Sequence, residues 1–296
     1  MRTAFIDQLI KEARKNEKIF LLVGDLGYNV IEPFAKEFPD RFRNVGIAEQ
    51  NMAGIAAGLA MTGYNVYFYS IANFPTLRCI EQIRNDIAYH HLSVKAVSVG
   101  GGFAYADLGA THHATEAIGM LRTIPNMVVC SPADPQEARA ITALSASYDG
   151  PMYIQLGKAG EKNIWGKDLV LEIGDVLSYK KGKNRDTAVL TSGSIAAEVT
   201  TCENSKDMDI YIVPFVKPLN KGTLVSLAQN YKRLIVIEEN QRSGGIGSAI
   251  VEQMNDLYAD GIISSFPCIK RIAIDDCFSE VCGSQRYLRM YNHLSL

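Results

Sequence analysis

The chain has 296 residues, of which 47% are hydrophobic and 21% charged, ordinary globular proportions that exclude wholesale disorder. Thirty basic and thirty-two acidic residues leave a net charge of −2 without long runs of one sign. That balance argues against an electrostatic nucleic-acid binder. The length points to two domains, each able to bury its own core. No stretch approaches the ~20 apolar residues that span a bilayer, and no apolar leader precedes the first amphipathic segment. Six scattered cysteines read as reduced thiols. A cytoplasmic protein with no membrane and no nucleic-acid partner is expected.

Thr3 can cap a helix in which Phe5, Ile6, Leu9, Ile10 and Ala13 recur at helical spacing. Ile19–Val23 is a short apolar run ending at Gly24, the pattern of a strand covered on both faces. Helix-like stretches at 49–62, 76–90, 114–123 and 135–147 then alternate with strand-like runs at 65–70, 94–99, 127–131 and 151–156. Such alternation implies parallel strands joined by right-handed crossovers. The pattern loosens between Gly157 and Asp186, around the only tryptophan, Trp165. A second unit follows, with strands near 187–191, 210–216, 233–238 and 269–274. The expected fold is α/β, two doubly wound domains, the first with a mainly parallel sheet. The expected division is 1–158, a linker at 159–185, and 186–296.

Glu49 stands where an irregular segment, Asn44–Ala48, enters a helix rich in Ala and Gly. A first-turn glutamate is favoured by the helix dipole alone. Ile47, Ala48, Met52 and Ile55 are expected to bury it, and a buried carboxyl tends to keep its proton. Phe74 precedes the run Glu81-Gln82-Ile83-Arg84-Asn85 and Ala88-Tyr89; taken alone, it is an ordinary core residue. Gly109-Ala110-Thr111-His112-His113 is a loop able to present an imidazole to a cleft. Adjacent histidines on a loop diverge, and no third ligand is evident, so no metal site is expected there. Asp25 follows the first strand, where open α/β sheets place ligands. Ser243–Ser248 is a glycine loop without the spacing of a dinucleotide site.

These segments together resemble the thiamine-diphosphate enzymes of the transketolase group, over nearly the whole chain and in family order. Asn44–Gly58 is similar to the aminopyrimidine-binding motif. The resemblance implies that Glu49 hydrogen-bonds the cofactor's pyrimidine ring and promotes formation of the ylide. Phe74 falls on the position that stacks on that ring, and Asp25 on one near the thiazolium. His112 matches the histidine that contacts the sugar and assists proton transfer. Asp107 lies one place further from His112 than the aspartate that reads a sugar hydroxyl in many transketolases. Lys158 stands where the family carries a phosphate-binding arginine; it keeps the charge but loses the bidentate fork. Ser98–Phe103 lacks a histidine often found there. Phe215–Asn220, Leu234–Asn240 and Asp275–Glu280 resemble the family's C-terminal domain, which chiefly supports dimerisation.

The sequence has no Gly-Asp-Gly, the family's signature for Mg²⁺ and the diphosphate, so no metal ligand is assigned to this chain. The resemblance is therefore to the C-terminal, beta-like subunit of a split transketolase. It implies transfer of a two-carbon ketol unit between sugars, phosphorylated or otherwise modified. A separate alpha-like subunit would hold Mg²⁺, and a self-associated dimer would sit within a heterotetramer. The beta subunit of a 2-oxoacid dehydrogenase shares the glutamate motif, and a non-catalytic assembly subunit is a third reading. Ala110-Thr111-His112 and Leu121–Met127 favour the transketolase.

Overall fold

The computed structural model describes residues 1–166 and 168–296; Lys167, within the expected linker, lies outside the described residues. Strands β1 (Ile19–Val23), β2 (Phe42–Asn44), β3 (Asn65–Ile71), β4 (Val94–Val99), β5 (Val128–Cys130) and β6 (Met152–Leu156) pair in parallel, in the order β5-β6-β4-β3-β1-β2. β1, β4, β5 and β6 are buried at every position, as their unbroken apolar runs require. Ile71 lies opposite Val99, and Val99 opposite Leu156. The carboxyl ends of β3, β4 and β6 are thereby level, and their loops emerge side by side.

Helices α1 (Arg2–Lys15), α2 (Glu32–Glu37), α3 (Glu49–Met61), α4 (Ile80–Gln82), α5 (Ala117–Arg122) and α6 (Pro135–Ser147) accompany this sheet. The buried positions of α1 are the apolar ones read from the sequence, Phe5, Ile6, Leu9, Ile10 and Ala13 with Ala4, and α1 packs against α6. The second sheet is built from β7 (Leu177–Lys180), β8 (Asn184–Thr191), β9 (Met208–Ile212), β11 (Arg233–Gln241) and β12 (Cys268–Ile274), with β10 (Phe215–Lys217) falling between β9 and β11 in the chain. Its order is β12-β11-β8-β9-β7, parallel except for β7. Helices α7 (Ala196–Thr201), α8 (Lys221–Asn230), α9 (Ile246–Ala259) and α10 (Gln285–Tyr291) complete it. Among the described residues, no helix is long and apolar enough to cross a membrane.

The structure departs from the sequence reading in several places, beginning with Thr3, which lies inside α1 while Met1 stands at the N-cap. The run 210–216 is two strands, not one. Pro214 lacks an N–H and interrupts the ladder, its carbonyl accepts Ser131 N–H at 2.8 Å, and β10 then pairs antiparallel with β5 in the first sheet. The division at 158 and 186 is thus not clean: β10 joins the first sheet, while β7 and the start of β8 lie inside the expected linker. That linker is also tied down, because Asp134 Oδ2 accepts Ile164 N–H at 2.7 Å and Trp165 N–H at 3.0 Å. The helix expected over 76–90 changes pitch, with a 3₁₀ turn at 77–79, α4, and a π-helix at Ile83–Ala88. The wider turn lets Ile83, Ile87 and Ala88 all face the core. Finally, α5 starts at Ala117 rather than near 114, because Ala114 is held in an antiparallel bridge to Gly102.

Candidate active site

Loops at the carboxyl ends of the first sheet bring the candidate residues to one edge, where open α/β sheets bind ligands. Asn44, the last residue of β2, organises two of these loops. Its Oδ1 accepts the N–H of Asp25, after β1, and of Gly46, each at 3.0 Å. Gly46 has a φ of +75°, which its lack of a side chain permits. The chain then turns into α3 and delivers Glu49 as its first residue.

Glu49 is 2% exposed. Its Oε2 accepts Arg78 Nη1 at 2.6 Å, and its Oε1 accepts the Ser70 hydroxyl at 3.3 Å. The Arg78 guanidinium also lies 4.6 Å from the centre of the Phe74 ring. On that ring's other contact, His112 meets Phe74 edge-on with centroids 5.3 Å apart. Glu49, Phe74 and His112, chosen from three separate motifs, therefore form one connected cluster, in which Arg78 bridges Glu49 to Phe74 and Phe74 meets His112. The expected burial of Glu49 needs correction: Ile47 is 77% exposed and Ile55 is also exposed. Ile47 lies in the loop before α3 and Ile55 on the outward face of the helix, and the carboxylate is instead closed in by Ser70 and Arg78, with Met52 buried beneath the first helix turn.

The adjacent histidines diverge as expected. His112 sits partly exposed, its Nδ1 3.0 Å from the Thr111 hydroxyl. His113 is buried, with its ring edge-on to Phe103 at 5.1 Å and, among the described residues, no partner for Nε2. Burial holds its pKa below the ordinary histidine value. Cys79, one residue beyond Arg78, donates to the Phe74 carbonyl at 3.4 Å. Burial first, then the Glu49 charge, pushes its thiol up to about 12, so it is no nucleophile near neutral pH.

Asp107 and Lys158 form a second pair on the loops after β4 and β6. The Lys158 ammonium is 3.8 Å from Asp107 Oδ1 and 4.6 Å from the centre of the Tyr105 ring. Both side chains remain substantially exposed. Asp25 stands apart: it is exposed, has a φ of +55°, and binds Asn44 Nδ2 at 3.0 Å and the Tyr28 hydroxyl at 3.2 Å. Among the described residues, no three His, Cys, Asp or Glu side chains cluster as a metal site. Arg78 and Asn44 hold the candidate residues in place, and the sequence alone does not single them out. Both lie inside the motif segments, but their roles arise from contacts across the fold.

Comparison with known proteins gives the context. Residues 1–160 match the family model described as transketolase, pyrimidine binding domain, and residues 180–272 match transketolase, C-terminal domain. The chain is 32% identical to one of the subunits of the apulose-4-phosphate transketolase of Phocaeicola vulgatus, over 86% of this chain and 83% of that protein. It is 29% identical to the 6-deoxy-6-sulfo-D-fructose transketolase subunit SqwH of Clostridium sp. strain MSTE9, covering 98% and 88%. A solved split-gene transketolase, described as an inactive beta4 tetramer, superposes with a TM-score of 0.86 at 31% identity, covering 99% of this chain and 93% of that one. Matched by family models along both domains, and by split relatives over most of their length, the chain belongs to the transketolase family as a beta subunit of the split kind.

Proposed function

We propose that this chain supplies the pyrimidine-binding half of a thiamine-diphosphate-dependent transketolase that works only with an alpha-like partner holding the diphosphate and Mg²⁺. The observation that supports this most is the cluster in which a buried carboxylate and a partly exposed aromatic face meet at the carboxyl edge of parallel strands. Those groups suit a planar, hydrogen-bonding heterocycle: among the described residues, Glu49 Oε1 has only the long Ser70 contact, and Phe74 offers ring area for stacking. When bound, the cofactor supplies the nucleophilic carbon and the electron sink for ketol transfer.

The residues of this chain do the rest. Glu49 exchanges a proton with a ring nitrogen. Phe74 orients the ring. Asp25 stands at the mouth of the same edge. His112 binds the sugar and passes a proton to or from its hydroxyl, within hydrogen-bond reach once substrate is seated. Asp107 reads a hydroxyl, and Lys158 attracts an anionic group at the far end of the sugar. That last assignment accords with relatives named for a phosphorylated and a sulfonated ketose. Ketol transfer between such anionic sugars is the proposed reaction.

The partner requirement follows from affinity. One stacking contact and one hydrogen bond contribute about 1 kcal/mol each, too little to overcome the cost of association. A solved relative described as an inactive beta4 tetramer accords with a chain that self-associates and waits for its partner within a heterotetramer. Calorimetry with thiamine diphosphate and Mg²⁺ should show no tight binding to the chain alone, and tight binding once the alpha-like subunit is added. Glu49→Gln should then lower turnover by about 100-fold or more while folding persists. Tight binding or ketol transfer by the isolated chain would sink the proposal, and so would near-normal turnover of Glu49→Gln in the assembled enzyme.

A further inference from the structure

The end of β11 reaches from the second sheet to the loop that carries His112. Glu239 is 5% exposed, and its Oε1 accepts the backbone N–H of Phe103 at 2.9 Å. Its carboxylate is fixed from behind. Arg289 donates through Nε at 3.1 Å and adds Nη2, Gln285 Nε2 reaches both oxygens at 3.0 and 3.1 Å, and the Ser194 hydroxyl stands at 3.4 Å. Arg289 is itself anchored on Glu198 at 2.7 Å. Two residues further along β11, Gln241 N–H donates to the Thr115 carbonyl at 2.9 Å.

Phe103 and Thr115 are the two ends of the loop. Beside them, Gly102 and Ala114 exchange both backbone hydrogen bonds, at 2.9 and 3.0 Å, which closes a neck. β11 therefore grips both sides of that neck. The fit leaves no room for a side chain at Gly102, where a Cβ would lie 2.7 Å from Glu239 Cγ and 2.8 Å from its carbonyl oxygen. Inside the loop, the buried Phe103 ring meets His113, and the preceding residue, His112, meets Phe74. Apolar side chains could fill the volume of such a buried ion network at little cost in stability. They would not provide a directed, charge-assisted acceptor for Phe103 N–H.

We infer that Glu239, oriented by Arg289 and Gln285, is a positioning residue through which the C-terminal domain sets the place of His112 and so the handling of the sugar. The functional half of this statement rests on the sugar contact proposed for His112. Hydrogen exchange on the full chain tests the clamp itself. Glu239→Gln and Arg289→Met should speed exchange of the amides at 103–115 by about tenfold or more, with β4 and β6 unchanged. Gln285→Ala, which removes a single donor and leaves the ion pair, should give a smaller acceleration confined to the same amides. An unchanged loop, or exchange rising equally in β4 and β6, overturns the clamp. In the enzyme assembled with its partner, and with fructose 6-phosphate as the ketose probe, Glu239→Gln should raise KM about tenfold while thiamine diphosphate affinity holds. A parallel loss of cofactor affinity, or an unmoved KM with a loosened loop, overturns the positioning role. His112→Ala in the same assay separates the two readings: if it leaves KM unmoved, the sugar contact fails while the exchange result stands.

Discussion

Arg78 touches two of the side chains on which the proposed site depends, and its loss should be felt through Glu49. With Arg78→Met the buried carboxylate keeps, among the described residues, only the Ser70 contact at 3.3 Å. The guanidinium is partly exposed, so water screens the pair and the expected cost is about 1–2 kcal/mol. In Arg78→Met/Glu49→Gln the unpaired charge is gone, and the double variant should lose clearly less than the sum of the single losses in urea unfolding. Additive losses would mean that the two groups do not interact in solution. Glu49, Phe74 and His112 were legible as candidates because each stands in a motif with fixed neighbours. The partners that orient them were not. Arg78 and Glu239 act across 29 and 136 positions of sequence, and no local pattern encodes which acceptor a long side chain will meet after folding.

At the scale of elements, α6 shows how a helix start can hold a loop. Asp134 is fully buried, and its Oδ1 caps the helix by accepting Glu137 N–H at 2.8 Å. Its other oxygen holds the backbone of Ile164 and Trp165, and Trp165 Nε1 donates to Glu137 Oε1 at 2.7 Å. Asp134→Ala removes the acceptor for all three N–H groups and should cost about 2–3 kcal/mol. Because Trp165 is the only tryptophan, its fluorescence should shift to the red as the strap loosens, and Asp134→Asn should retain most of the cap. An unshifted spectrum in Asp134→Ala would show that other contacts hold the strap. The long buried strands and α1 could be read from periodicity because burial dictates their composition. β7 and β10 could not: β7 is only partly buried, β10 has three residues, and each pairs antiparallel at the edge of its sheet. Neither has the unbroken apolar run that marks the central strands.

Across the whole molecule, two buried carboxylates link stability to pH. Glu238 accepts the N–H groups of Ile246 and Gly247, each at 2.8 Å, at the start of α9. Those bonds favour its ionised form, yet burial outweighs them and raises it to about 7. Burial likewise raises Glu137 to about 7. Each lies above the 4.5 of a free glutamate, so the folded state holds protons that the unfolded state releases. Their stabilising contribution is complete below 4.5 and is lost as pH rises through 7, up to about 3 kcal/mol for each group. The urea midpoint should therefore fall between pH 4.5 and 7, and Glu238→Gln should flatten that slope. A variant with the same slope as the wild type would show that Glu238 does not titrate there.

The passage of β10 into the first sheet limits how this protein can be divided. A cut in the interval between the two family matches, residues 161–179, would look natural from the sequence. It would strip β5 of its antiparallel neighbour and leave a bare row of amide and carbonyl groups at the rim, a template for cross-chain pairing. A gene fission there would yield a sticky N-terminal fragment, whereas the two halves kept in one chain sheathe each other. The interval between the two matches is therefore no seam along which this pair of domains can be parted without baring a sheet edge.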